Sequence, residues 1–218
     1  MVKPIIFTLT GPSCAGKSTL EKMLITKLNF AKLVSETTRE KRVGEVDGDS
    51  YYFNTEEEFL NMNVKGELVE SIEFDGNYYG VSVAEVERVT ALGKVIVVVV
   101  EPNGRDQIKD YAKRTGATCV SIYVSASVET IAWRFLLRFS EQVKTAGLIE
   151  LSSVRLAGMM TTERAWEDEA YSSIGSMDKK YDMVFSQFDE ETTDYVIKKI
   201  SEKADNLIFK NLKAEVMS

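Results

Sequence analysis

The stretch Gly11-Pro12-Ser13-Cys14-Ala15-Gly16-Lys17-Ser18-Thr19 decides the fold, and the apolar run Ile5-Ile6-Phe7-Thr8-Leu9 leads into it. It fits the phosphate-loop pattern G-x-x-x-x-G-K-[ST], with Gly11, Gly16, Lys17 and Ser18 in the fixed places. Such a loop must curl until successive backbone N–H groups point inward at a di- or triphosphate, and side chains at its tightest points would block that approach. Lys17 then reaches the outer phosphates, and the Ser18 hydroxyl is placed to ligate Mg²⁺. The flanks give the context the motif needs. The apolar run suits a buried strand, and Leu20, Met23, Leu24 and Leu28 recur at helical spacing. The loop therefore leads into a helix N-terminus, whose partial positive charge favours phosphate. A glycine-rich turn with a chance lysine would lack both flanks. The reading is a nucleotide-binding site.

Composition narrows the class. A chain of 218 residues is long enough for one α/β domain with a full core and a small insertion. Its net charge of −7 argues against a general nucleic-acid or membrane-surface binder, which needs a basic face. Of its two cysteines, Cys14 and Cys119, one lies inside the phosphate loop, so a disulfide framework is not expected and a reducing, cytoplasmic setting fits. The chain has no histidine, which removes Ser-His and Cys-His nucleophiles and His-ligated metals. The N-terminal apolar stretch runs straight into the phosphate loop and does not read as a signal peptide. No apolar run reaches the length of a membrane span.

Beyond the first helix, Ala31–Val34 reads as a second short strand. Residues 35–53 are polar, marked by glycines and rich in hydroxyls, arginines and tyrosines. Thr55-Glu56-Glu57-Glu58 reads as a capping box, and so does Ser82-x-x-Glu85, whose helix stops at Gly93. Between them Glu67–Phe74 alternates as a strand, and Asp75-Gly76-Asn77 turns it. Residues 35–82 thus form an irregular, strand-rich insertion of the kind that carries a binding site. Val95–Val100 then reads as a central parallel strand. A helix over 105–114, a strand over 119–124, a helix over 127–139, a connection over 140–153 and a helix over 155–170 follow. A strand over 181–185 and a final helix over 192–207 close the alternation, with residues 210–218 expected to fray. Strands alternating with helices give an α/β fold with a doubly wound parallel sheet.

Three stretches carry a family resemblance: Gly11–Leu20, Ser35–Phe53 with its T-T-R, R-x-G-E-V-D-G and Y-x-F elements, and Glu70 through Gly76-Asn77-Tyr78-Tyr79-Gly80. Gly93-Lys94 and Tyr181-Asp182 also fit. The chain resembles the guanylate kinases over about residues 3–200. These are P-loop nucleoside monophosphate kinases that move the γ-phosphoryl of ATP to GMP or dGMP. The resemblance implies one domain over 1–210, with its core in 1–34 and 83–210, an NMP-binding insertion over 35–82 and a mobile lid about 138–155. It implies ATP at Gly11, Ser13, Cys14, Ala15, Gly16, Lys17, Ser18 and Thr19, with Mg²⁺ at Ser18.

For the acceptor, Ser35, Arg39, Arg42, Tyr51 and Tyr79 match the family's positions around the GMP phosphate and base. Guanidinium forks and phenol hydroxyls suit a monophosphate dianion. Glu70 matches the guanine-reading carboxylate, although spacing alone leaves it an ordinary solvated strand glutamate. Arg134 and Arg138 match the lid arginines, and a third comes from Arg155 or Arg164. Trp133, Phe135 and Leu136, on the same helix, read as core. Several positions depart from the pattern. Cys14 replaces a loop glycine, which an ordinary backbone angle would tolerate. Val99 and Glu101 stand for an Asp-x-Asp, with Glu101 replacing part of that carboxylate function or contacting the acceptor ribose. Val81 stands where a base-facing Ser or Thr is usual.

The partners implied are ATP and a purine nucleoside monophosphate, for a monomer or homodimer that binds neither nucleic acid nor membrane. Two alternatives stand beside a GMP/dGMP kinase. One is a relative with a shifted or broad acceptor, such as a virus-type deoxynucleoside monophosphate kinase or a ribose-bisphosphate kinase, the latter of which would not need Tyr51, Glu70 and the Gly76–Gly80 turn together. The other is a catalytically silent guanylate-kinase-like binding domain, which typically loses the loop residues that are present here.

Overall fold

The computed structural model describes residues 3–41, 44–74, 76–127, 129–137 and 180–216. In chain order the elements begin β1 (Ile5–Thr10), α1 (Lys17–Leu28), β2 (Ala31–Lys32), β3 (Glu36–Thr37), β4 (Tyr52–Phe53) and α2 (Glu56–Val64). Next come β5 (Leu68–Phe74), β6 (Asn77–Ser82), α3 (Val83–Thr90), β7 (Ile96–Val99), α4 (Pro102–Thr115) and β8 (Thr118–Val124). A helical segment over 129–137 follows, then β9 (Met183–Phe185) and α5 (Thr193–Val216). The parallel strands form one sheet in the order β2-β7-β1-β8-β9.

Strand β1 lies at the centre of that sheet and all six of its residues are buried. A strand covered on both faces has no solvent side to present, which is why apolar residues occupy both of its faces and only Thr8 and Thr10 among its six residues are polar, both buried. Ile5, Phe7 and Leu9 face a core made with Leu20 and Leu24 of α1 and Val196 and Ile200 of α5. Ile6 faces the opposite core, with Leu33, Val86, Val98 and Ile108. Burying each such side chain contributes roughly 1.5–3 kcal/mol. Helices on both faces make the sheet doubly wound, as the alternation predicts.

Residues 36–82 form the second sheet, in the order β4-β3-β6-β5. Strands β3, β6 and β5 pair antiparallel, whereas β3 and β4 are parallel. Residues paired across strands share a face. The pairs Glu70↔Val81, Ile72↔Tyr79 and Thr37↔Tyr79, with Thr37↔Phe53, therefore put Glu70, Tyr79, Val81 and Phe53 on one face. Gly80, Glu36 and Tyr52 lie on the other, where Phe59 of α2 covers Gly80 and stacks on Tyr78 at 5.5 Å. Strand β5 is an edge, and the Gln107 side chain of α4 satisfies both backbone groups of Ser71 at 3.1 Å each.

Several boundaries differ from the sequence reading. The second strand stops at Lys32. Helix α4 begins at Pro102 rather than at Arg105, because proline is pre-set for the first turn and lacks the N–H that would be orphaned there. Thr55 and Glu58 close a full capping box, but Ser82 and Glu85 make only half of one. Ser82 Oγ accepts from the Glu85 N–H at 3.3 Å, and the Glu85 carboxylate is engaged elsewhere. Helix α5 continues through the expected frayed tail to Val216, since residues 208–216 contain neither glycine nor proline. The Asn211 side chain also reaches the Lys3 carbonyl at 3.4 Å. Among the described residues no helix is long and apolar enough to cross a membrane.

Candidate functional site

Between β1 and α1 the loop turns back on itself, and two glycines make the turn possible. A Cβ on Gly11 would stand 1.9 Å from the Val124 carbonyl oxygen, so only glycine lets the loop lie against the end of β8. Gly16 has φ 103° and caps α1, and a Cβ there would stand 2.7 Å from the Phe188 ring. Among the described residues no side chain caps the first turn of α1, and no acidic residue occupies that turn, which turns its N–H groups and positive end to the loop. Lys17 folds back over the loop and donates to the carbonyls of Gly11 at 2.5 Å and Pro12 at 2.8 Å. Ser13 and Cys14 are half-buried, Ala15 is buried, and Ser18 and Thr19 are exposed on the first turn of α1.

Cys14 does not meet the condition under which the replacement of glycine is tolerated freely. Its φ is 58°, in the left-handed region, where a Cβ crowds the neighbouring carbonyl and costs roughly 1–2 kcal/mol. Glycine escapes that crowding but has more freedom to lose on folding. Cys14→Gly is accordingly expected to stabilise the protein by about 1 kcal/mol, as a higher midpoint in urea unfolding. A valine there should shift the midpoint down. Equal midpoints for all three proteins would mean that the loop accommodates the angle without strain.

On the insertion, Arg39 lies 5.4 Å from the centre of the Tyr51 ring and 5.9 Å from that of Phe53. Tyr51 meets Tyr79 edge-on at 6.1 Å. The structure thus brings Arg39, Tyr51 and Tyr79 together. The Arg39 guanidinium donates to both Glu45 oxygens at 2.8 and 3.0 Å and to the Glu40 carbonyl at 2.7 Å. Ser35 is half-buried where the insertion begins, and its carbonyl accepts the Tyr52 N–H at 2.9 Å.

Glu70 is not the solvated glutamate that spacing alone describes, because it is only 6% exposed. A Cβ on Gly104 would lie 2.9 Å from its Oε2, so a glycine in the first turn of α4 makes room for the carboxylate. Burial pushes the Glu70 pKa up to about 7, and the nearby negative charge of Glu101 adds to the rise. Glu101 caps α4; burial raises its pKa and the Lys17 ammonium opposes that rise. Lys17, Glu101 and Glu70 thus form a chain of interacting charges from the phosphate loop to the insertion. Val81 is fully buried within the apolar core and adds no polar group beside Glu70.

Arg134 is brought against the phosphate loop. Its Nη1 donates to the carbonyls of Ala15 at 3.2 Å and Cys14 at 3.4 Å, and its Nη2 to that of Phe188 at 3.0 Å. The reading of Trp133 and Leu136 as core is corrected, since both are exposed, whereas Phe135 is half-buried. Arg42, Arg138, Arg155, Arg164 and the lid over 138–155 lie outside the described residues. Sequence reasoning missed Gly104 and Phe188. A glycine in a helix's first turn was the one available signal for the former, and nothing marks the latter.

Mg²⁺ fits these donors in one way. Among the described residues no three acidic or sulfur ligands cluster, and the Ser18 hydroxyl is exposed beside Lys17. Such a set suits a hard cation carried mainly by phosphate oxygens and water, not one caged by protein.

The guanylate kinase family model matches residues 1–147. The chain is 38% identical over 142 residues to the guanylate kinase of Chlamydia felis, covering 64% of this chain and 67% of the relative. It is 44% identical over 109 residues to that of Synechocystis, covering 50% and 57%. The alignments thus span between about half and two thirds of these curated relatives. A solved guanylate kinase from Anaplasma phagocytophilum superposes with a TM-score of 0.60 at 27% identity, covering 93% of this chain and 87% of that one. With the phosphate loop and insertion in place, and the family model matching most of its length, the chain belongs to the guanylate kinase family.

Proposed function

We propose that this protein transfers the γ-phosphoryl group of ATP to GMP or dGMP, giving the corresponding diphosphate. The observation that carries the reading is the buried Glu70 carboxylate, seated by Gly104 of α4 on an insertion that also presents Arg39, Tyr51 and Tyr79, beside a loop of the phosphate-binding pattern. In this reading residues 1–34 and 83–210 are the core, 35–82 hold the acceptor, and 138–155 are the lid. The loop N–H groups and Lys17 hold the donor phosphates. Arg39, with Arg42, Ser35, Tyr51 and Tyr79, holds the acceptor phosphate, and Glu70 reads the base. Arg134, with Arg138 and either Arg155 or Arg164, closes over the moving phosphoryl.

Phosphoryl transfer needs little covalent help from a protein, so positioning and charge neutralisation supply most of the rate. Ser18 would hold Mg²⁺ with the donor phosphates, and the ion would supply neutralisation of the negative charge that develops during transfer. Val81 offers no hydroxyl to guanine, which leaves base reading to Glu70. The free thiols of Cys14 and Cys119 and the net charge of −7 support a cytoplasmic enzyme with small-molecule substrates. Intact Gly11, Gly16, Lys17 and Ser18 favour catalysis over a silent binding domain.

A coupled assay of ATP turnover with the eight common nucleoside monophosphates tests the proposal. GMP and dGMP should lead. Preference for a pyrimidine acceptor would overturn the guanine assignment, and turnover with none would overturn the enzymatic one.

A further inference from the structure

Glu85 carries a buried carboxylate for which the phosphoryl-transfer reading has no use. Its side chain is 1% exposed, yet four donors meet it. Oε1 accepts the Val34 N–H and an Arg88 Nη2–H, each at 2.8 Å. Oε2 accepts the Arg88 Nε–H at 2.7 Å and the Tyr52 hydroxyl at 3.2 Å. A carboxylate has about four lone-pair sites, so its accepting capacity is filled.

The partners are distributed in a telling way along the chain. Val34 is the last residue before the insertion, Tyr52 lies inside it on β4, and Glu85 and Arg88 belong to α3, which begins directly after it. One side chain therefore ties the insertion's entry and interior to the helix at its exit. It does so from the face of the sheet opposite Glu70 and Tyr79, because Tyr52 pairs with Glu36 and Glu36 with Gly80. Arg88, half-exposed, supplies the counter-charge that lets the carboxylate stay ionised inside the protein.

We propose that Glu85 is a positioning residue that fixes how the acceptor sheet is set on the core, with Tyr52 as its hold on the insertion. The inference rests on the reading of 35–82 as the acceptor-binding part. Without the pin, the acceptor sheet samples more orientations. Acceptor binding then bears the ordering cost, and ATP, held by β1 and α1, does not.

Tyr52→Phe removes one hydroxyl and leaves the ring. The KM for GMP should rise about fivefold, as for the loss of one hydrogen bond, while the KM for ATP stays within twofold. Backbone amide exchange at Val34 and in β4 should quicken. Glu85→Gln should fall between wild type and Glu85→Ala, because the amide oxygen still accepts from Val34 and the amide N–H can donate to the Tyr52 oxygen, while its nitrogen loses the Arg88 Nε–H bond and faces that donor. Unchanged kinetics and exchange in Tyr52→Phe would overturn the proposal. So would equal rises in both KM values that track a fall in Tm, since those mark general destabilisation. If the wild-type protein phosphorylates no guanine nucleotide, the acceptor reading fails by itself. Exchange then decides the pin alone: faster exchange at Val34 and β4 sustains it, and unchanged exchange refutes it.

Discussion

Lys17→Ala is expected to lower kcat by about a hundredfold or more while leaving the unfolding transition where it was. The ammonium sits within the loop, hydrogen-bonded to the Gly11 and Pro12 carbonyls, at the point where donor phosphates would lie. Charge that develops on the phosphoryl oxygens during transfer meets a fixed cation there, and water cannot replace it without reorganising. Lys17 is only half-buried and belongs to neither core cluster, so truncation leaves the packing of β1 and α1 intact. Steady-state kinetics and circular dichroism on the same preparation give both quantities. Near-normal turnover in a folded variant would remove the phosphate loop from the mechanism.

Glu70→Gln should change both activity and stability, in opposite directions. Guanine presents N1–H and N2–H₂ as neighbouring donors, and an ionised carboxylate accepts both, whereas adenine N1 would face it lone pair to lone pair. The amide keeps the shape but turns one acceptor into a donor. The kcat/KM for GMP should fall at least thirtyfold, about 2 kcal/mol, with little change in any AMP activity. A guanine-to-adenine ratio that stays put would show that Glu70 does not read the base. The pKa near 7 adds a pH signature: guanine selects the ionised form, so wild-type kcat/KM should climb as pH rises towards 7 and level off above it.

Stability runs the other way. The folded pKa lies above the unfolded value of 4.5, so the native state holds its proton more tightly than the unfolded chain does. Stability from this group is fully present below pH 4.5 and is lost as pH rises through 7. By pH 8 ionised Glu70 disfavours the apo fold by about 3 kcal/mol relative to its protonated form. Glu70→Gln should therefore gain stability over wild type at pH 8 and lose that advantage at pH 4.5, as read from urea midpoints at the two values. Parallel midpoints at both would mean that Glu70 titrates normally.

Much of the fold was legible because two signals agreed at most elements. The apolar run, the loop glycines and the leucine spacing all specified β1, the loop and α1. What stayed hidden depends on geometry that sequence does not encode locally. Cys14 carries no mark of its left-handed angle, which the loop as a whole imposes. Pro102 and Gly104 look like breakers, yet the first is pre-set for a helix start and the second makes room for a carboxylate some thirty residues away in the chain. Glu85 sits at the third residue after Ser82, so spacing assigns it to a capping box. Burial against Val34, Tyr52 and Arg88 overrides that local pattern. Glu70 illustrates the reverse case, in which a neutral spacing pattern gains its meaning from the motif around it.

The four strands of the second sheet come from one unbroken length of chain, which invites the view that acceptor choice could be inherited or exchanged as a cassette. The α4 contacts argue otherwise. Gly104 makes the space that Glu70 occupies, and Gln107 closes the backbone of Ser71, and both lie outside that length. A recombinant carrying only the insertion of a distant relative would receive Glu70 without its seat. Under the proposed role of Glu70, the smallest heritable unit of base preference is the insertion together with residues 101–107. A substitution at Gly104 would surface as a change of acceptor, although that residue belongs to the core.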